Sequence, residues 1–221
     1  KFKYRTTENQ NMVLESLVTP LKAEKHPFEM FLIGLIYSSV AIFISIQIFD
    51  EMAGIIAVFL TVMASIPLMY ATIKYEEEKD LGSMGEILLL KEHSKAVSFL
   101  VFLFLGITIS FTLWYTFLPA STVENLFSLQ ISTIKNINSG VGGMAFSHSA
   151  LFSKIFFNNL RVLVFCILFA FFYGAGAIFI LTWNASVISV AIGTFVRNNL
   201  AEYANFLGFP LVAKHMHIFS L

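Results

Sequence analysis

The chain has 221 residues, of which 57% are hydrophobic and 13% charged, and its 14 basic and 14 acidic side chains leave no formal net charge. Such a composition suits a surface bathed in lipid rather than water, and basic residues scattered among acids give no footing for a nucleic-acid partner. The one cysteine, Cys166, excludes an intrachain disulfide and reads as a small buried hydrophobe.

Residues 1–27 form a polar, mixed-charge lead-in. Met12, Val13, Leu14, Leu17, Val18 and Leu21 include apolar positions three and four apart, so a short helix lying on the membrane surface is expected, ended by Pro20. No apolar leader precedes residue 28, and the first span is expected to act as its own insertion signal. A start without Met and a stop at Leu221 inside an apolar run read as a piece of a longer chain.

Four apolar stretches follow, at about 28–49, 52–73, 96–118 and 160–182, each matching the roughly 20 residues that cross a hydrocarbon core of about 30 Å. Inside them the only ionised side chain is Arg161, near enough to an end to snorkel. Pro27 opens the first stretch, where its missing N–H costs nothing. Only Asp50 and Glu51 separate the first two stretches, as in a tight hairpin. After the acidic run Glu76, Glu77, Glu78 and Asp80, residues 86–95 read as helix merging into the third span. The connection from Pro119 to Asn159, about 40 residues, is too long for an unstructured loop and is expected to carry short helices, such as Val123 to Ile134.

Thr182, Trp183 and Asn184 read as the end of the fourth span, and the 185–196 stretch as a short helix, too brief to cross and therefore re-entrant. Arg197, Asn198, Asn199 and Glu202 are expected to mark water or headgroups, and 206–221 reads as an incomplete fifth segment broken by Pro210 and Lys214. The expected fold is an all-α polytopic bundle, residues 28–221 forming one helical membrane domain. Lys1, Lys3, Arg5, Lys22 and Lys25 precede the first span and no base lies in the first hairpin, which places the N-terminus on the cytoplasmic side. Gly34, Ser38, Ala41 and Ser45 in the first span, and Ala170, Gly174 and Ala177 in the fourth, recur at helical spacing and read as seams where helices pack closely.

Chemistry is sparse. The Gly82 to Gly85 string is not a nucleophile elbow, and His26, His93 and His148 stand alone. His215 and His217 are spaced i, i+2 with no third ligand near in sequence, so no metal site is assigned. Without a P-loop, a G-x-G-x-x-G or a C-x-x-C, no cofactor is expected and no catalytic residue is assigned. Asn184 is placed to cap the helix that follows it. Together with Thr182, Ser186 and Ser189 it could alternatively line a solute site at a broken helix.

Phe157, Asn158, Asn159, Leu160 and Arg161, the run Phe172 to Gly176, and Trp183, Asn184, Ala185 and Gly193 resemble the core pattern of the stage II sporulation protein M family. Upstream, Leu14 to Leu17, Lys22 to Pro27 and the Tyr75 to Asp80 loop are similar to its archaeal members, so the resemblance covers most of the chain. The family's common Asn-Gly is Asn184-Ala185 here. The resemblance implies a membrane protein that anchors or organises partners, as bacterial members do for cell-wall-degrading proteins during engulfment. A non-enzymatic scaffold of the cell membrane is therefore expected, in contact with lipid and with other membrane proteins or further copies of itself. The alternatives are a small-solute transporter or channel, and an intramembrane hydrolase or lipid-modifying enzyme drawing on His148 with Ser147 or Ser149, or on His215 and His217.

Overall fold

The computed structural model describes residues 27–49, 52–80, 86–142, 152–153, 156–157, 159–161, 163–164, 167 and 175–216. Residues 1–26, the Asp50–Glu51 hairpin, His148 with its flanking serines, Ala170, Gly174 and His217 lie outside them. Among the described residues the fold is all-α: α1 (Pro27–Ile48), α2 (Ala53–Asp80), α3 (Glu86–Phe117), α4 (Ala120–Leu126), α5 (Ser128–Gly142), α6 (Ala175–Phe206) and α7 (Pro210–Met216). Four of these contain segments long and apolar enough to cross a membrane, Pro27–Ile48, Ala53–Thr72, Ser94–Phe117 and Gly176–Phe206. The chain is a multi-pass membrane protein.

The first three spans fall where the apolar stretches predict them, and Glu86 to Lys95 does extend the third. The fourth differs at its expected end, and residues 168–174 within it lie outside those described. α6 runs unbroken from Ala175 to Phe206, through the expected helix end at Thr182 and the expected restart at Ala185. The reason is visible in its buried face: Ile178, Thr182, Ala185, Ser186, Ser189, Val190, Arg197, Ala201 and Ala204 follow each other at helical spacing. Ile188, Ile192, Phe195 and Tyr203 face outward. Thirty-two residues make a helix of about 48 Å, too long to stand upright within a hydrocarbon core of about 30 Å.

α1 and α3 run parallel, backbone against backbone. A Cβ added at Gly34 would lie 2.5 Å from the Leu103 carbonyl oxygen, and one at Gly106 would press closer still on that of Phe31. Ser39 and Ser110 hydroxyls meet across the same seam at 2.8 Å. Ser38, Ala41 and Ser45 share the buried face of α1 with Gly34, and Phe28, Leu32, Ile36, Val40 and Phe43 form its exposed face. Since lipid is as apolar as leucine, shape fit and main-chain proximity rather than apolar burial hold such a pair together. The end of the bundle at which α1 and α3 finish and α2 begins is called distal below. There the Ser45 hydroxyl donates to the Ala53 carbonyl, and α2 returns antiparallel.

α6 runs parallel to α3: Ser189 meets Thr108, Thr194 meets Tyr115 and Arg197 meets Leu118. Phe59 of α2 stacks near Phe179 of α6, ring centres 5.1 Å apart. Between α4 and α5, Phe127 sets its ring edge-on to Phe111 and Tyr115 at 6.2 and 5.1 Å. That contact draws the α4–α5 elbow onto the distal start of α2, where a Cβ on Gly54 would run into the Leu126 carbonyl oxygen.

α6 closes in a Schellman turn. Phe209 N–H donates to Ala204 O at 2.8 Å and Gly208 N–H to Asn205 O at 3.1 Å, with Gly208 at φ 79°. Glycine positions separate two kinds of constraint. Gly106→Val is expected to cost about 1–3 kcal/mol or more, because main chain rather than a movable side chain stands in the way. Gly208→Asn, with nothing within 4 Å and an αL-tolerant side chain, is expected to cost less than roughly 0.5 kcal/mol. Thermal melts of both variants in detergent measure this, and equal melting points would contradict the close α1–α3 approach.

Candidate functional site

Polar groups inside the bundle fall into two sets. Most are hydroxyls that close onto their own helix. Ser38, Thr61, Ser65, Thr72, Thr108, Thr112 and Ser189 each donate to the carbonyl four residues back. This is the cheapest way to keep a hydroxyl in lipid-facing architecture, since no second helix has to be aligned. A smaller set reaches across helices, and apart from Ser39–Ser110 and Ser45–Ala53 it gathers on α6.

Thr182, Ser186 and Ser189 share one face of α6 and are fully buried. Ser189 Oγ lies 2.6 Å from Ala185 O and 2.8 Å from Thr108 O on α3, one proton serving two acceptors. Ser186 Oγ donates to Trp183 O at 2.7 Å and accepts from Gln130 Nε2 of α5 at 3.2 Å. Gln130 is itself fully buried. Its Oε1, Thr182 Oγ1 and Thr116 Oγ1 have no hydrogen-bond partner.

Asn184 stands apart from this group. It is only half-buried, on a different face, and its Nδ2 donates to Ile180 O at 2.8 Å within α6. It sits in a helix interior, where no free N–H groups await a cap, and the expected capping role is corrected on that ground. The polar cluster Thr182–Asn184 looked like punctuation in the sequence because its hydroxyl and amide are turn formers elsewhere; here the amide folds back on its own helix.

Arg197 departs most from its expected place. Instead of marking water or headgroups it is fully buried. Its Nη1 donates to the carbonyls of Tyr115, Thr116 and Leu118 at 2.9, 3.1 and 2.8 Å, Nη2 to His215 O at 2.6 Å, and Nε to Met216 O at 3.0 Å. Those of Tyr115 and Thr116 belong to the last turn of α3, whose carbonyls find no partner further along that helix, and Leu118 follows it directly. The negative end of the α3 dipole faces the cation. Beside it, Tyr115 Oη and Thr194 Oγ1 are hydrogen-bonded at 2.9 Å, and Gly193 clears the Tyr115 ring, which a Cβ would approach to 2.5 Å.

Neither Gln130 nor Arg197 was marked by its sequence neighbourhood. For Arg197 a signal existed: it falls on the buried stripe of α6, four residues after Gly193 and four before Ala201. For Gln130 the signal was of the same kind: it follows Leu126 and Phe127 by four and three residues and precedes Ile134 by four, which puts it on an apolar face. His215 is exposed and contributes its main-chain oxygen rather than its imidazole. Among the described residues no group of three or more His, Cys, Asp or Glu side chains is arranged to hold a metal ion. No family model matches the chain, and no curated protein and no solved structure is similar enough to match it.

Two substitutions test these assignments. Asn184→Leu exchanges a self-satisfied amide for a better helix former, and its effect on stability is expected to stay within roughly 0.5 kcal/mol; a loss of about 1 kcal/mol or more in a detergent melt would show that the amide does more than close on its own helix. Arg197→Met leaves five carbonyls unanswered in a water-poor site and is expected to cost about 3 kcal/mol or more. Arg197→Lys, a point charge without the planar fork, is expected to recover only part of this. Hydrogen exchange of the 211–216 amides reads the local effect and should accelerate in both variants.

Proposed function

We propose that this chain is a non-enzymatic scaffold of the cell membrane, a rigid multi-pass framework that holds other membrane proteins or further copies of itself, its N-terminus cytoplasmic. The observation that carries the reading is how the interior polar groups are used. Hydroxyls are tied to their own helices, α1 and α3 touch through main chain at Gly34 and Gly106, and Arg197 is fully engaged in joining α3, α6 and α7. Such an interior favours fixed geometry over a path that opens and closes. The resemblance to the stage II sporulation protein M pattern supports the same role.

A second reading, passage of a small solute, is favoured by the unpartnered Gln130 Oε1 and Thr182 Oγ1 between α5 and α6. Cross-linking in native membranes followed by affinity purification decides between them. A scaffold is expected to return a reproducible partner or a homo-oligomer. A monodisperse monomer in mild detergent, together with solute flux above that of empty liposomes, would replace the scaffold by the transport reading.

A further inference from the structure

We propose that Gln130 and Thr182 together bind one ordered internal water, which joins α5 to α6 beneath the start of α2. Both side chains are fully buried, and both present an oxygen that no protein donor or acceptor reaches. The pairing is geometric as well as chemical. Thr182 lies one helical turn before Ser186 on the same face of α6, and Ser186 Oγ is the group that Gln130 Nε2 holds at 3.2 Å. The Gln130 carboxamide therefore reaches α6 with its nitrogen at Ser186, one helical turn from Thr182.

The behaviour of the other hydroxyls sharpens the point. Thr61, Ser65, Thr72, Thr108 and Thr112 each donate to the carbonyl four residues back, an option open to any hydroxyl on an α-helix. Thr182 does not take it, so its proton is available for a partner outside its own helix. A carboxamide oxygen only accepts, whereas a hydroxyl both donates and accepts. Water satisfies the two at once by donating to Oε1 and accepting from Oγ1, within the two to four polar partners that buried waters make.

The surroundings select water over larger or charged ligands. Gly54, whose absent Cβ would lie 3.6 Å from Gln130 Oε1, brings the start of α2 beside the site and limits its occupant to a small molecule. The side-chain oxygens offered are neutral, and the N-terminal end of α2 beside them carries the positive end of a helix dipole, which disfavours a metal cation.

Thermal melts of the full chain in nanodiscs, on Thr182→Val, Gln130→Met and the double variant, test the proposal. A shared water predicts that each single change lowers the melting temperature, on the order of 2–4 °C, and that the double variant loses clearly less than both losses added, because the water is already gone. If the two oxygens are instead independent unmet groups, Thr182→Val removes a buried liability and raises the melting temperature, and the effects add; that result overturns the proposal. Should a variant not fold, an experimental map of the parent chain at a resolution that shows waters decides the same question. A peak within hydrogen-bond distance of both oxygens supports the site, and side chains closing over that position without one refute it.

Discussion

Arg197 carries its charge where its side chain is shielded from solvent and answers it with main-chain carbonyls from the end of α3 and from α7. The arrangement resolves two problems at once. A helix that ends inside a bundle leaves carbonyls unmet, and a cation inside a bundle lacks solvation; each is the other's remedy. Every one of the hydrogen bonds found for the guanidinium goes to a main-chain oxygen, so the site depends on backbone geometry and not on the identity of side chains across from it. α3 must stop at Phe117, α7 must return to this level, and α6 must pass between them in register.

The rest of the bundle follows from that register. With Arg197 at Leu118, Gly193 comes opposite Tyr115 and Ser189 opposite Thr108, each a position where a small or polar residue is needed. α3 can then use its other side for the close seam with α1. The two interfaces of α3 differ in emphasis: glycine, main chain and a single Ser39–Ser110 hydrogen bond on the α1 side, several hydrogen bonds and an aromatic ring on the α6 side. In lipid both are available routes to helix association, and the second does more to fix translation along the axis.

How far this could be read in advance depended on the kind of signal. Apolar length is a property of sequence alone, and it located α1, α2 and α3 closely, because the bilayer core sets the count. The same criterion ended the last span too early. Thr182 and Asn184 carry polar groups that break helices in water, but in a membrane protein such groups are met by their own helix or by a neighbour, and the helix continues. Periodicity was the better guide there: Ile178, Ala185, Ser189, Gly193 and Arg197 keep one face through the supposed break. Thr182, Ser186 and Ser189 do share a buried face, yet Gln130, which completes their setting, comes from α5, and no local pattern announces a contact 56 residues away.

The Arg197 network also bears on the order in which the molecule can be made. The carbonyls of Tyr115, Thr116 and Leu118 precede Arg197 in the chain, whereas those of His215 and Met216 follow it by 18 and 19 residues. A ribosome adding residues one at a time delivers the cation before two of its acceptors exist. α6 therefore enters the bilayer with its guanidinium only partly served, and its final seating waits for synthesis to pass Met216. A nascent chain halted between Arg197 and Met216 would carry a membrane helix whose positive charge still seeks water. In that interval the last turns of α6 belong to the interface rather than to the bundle, and α7 acts as the latch whose arrival completes assembly.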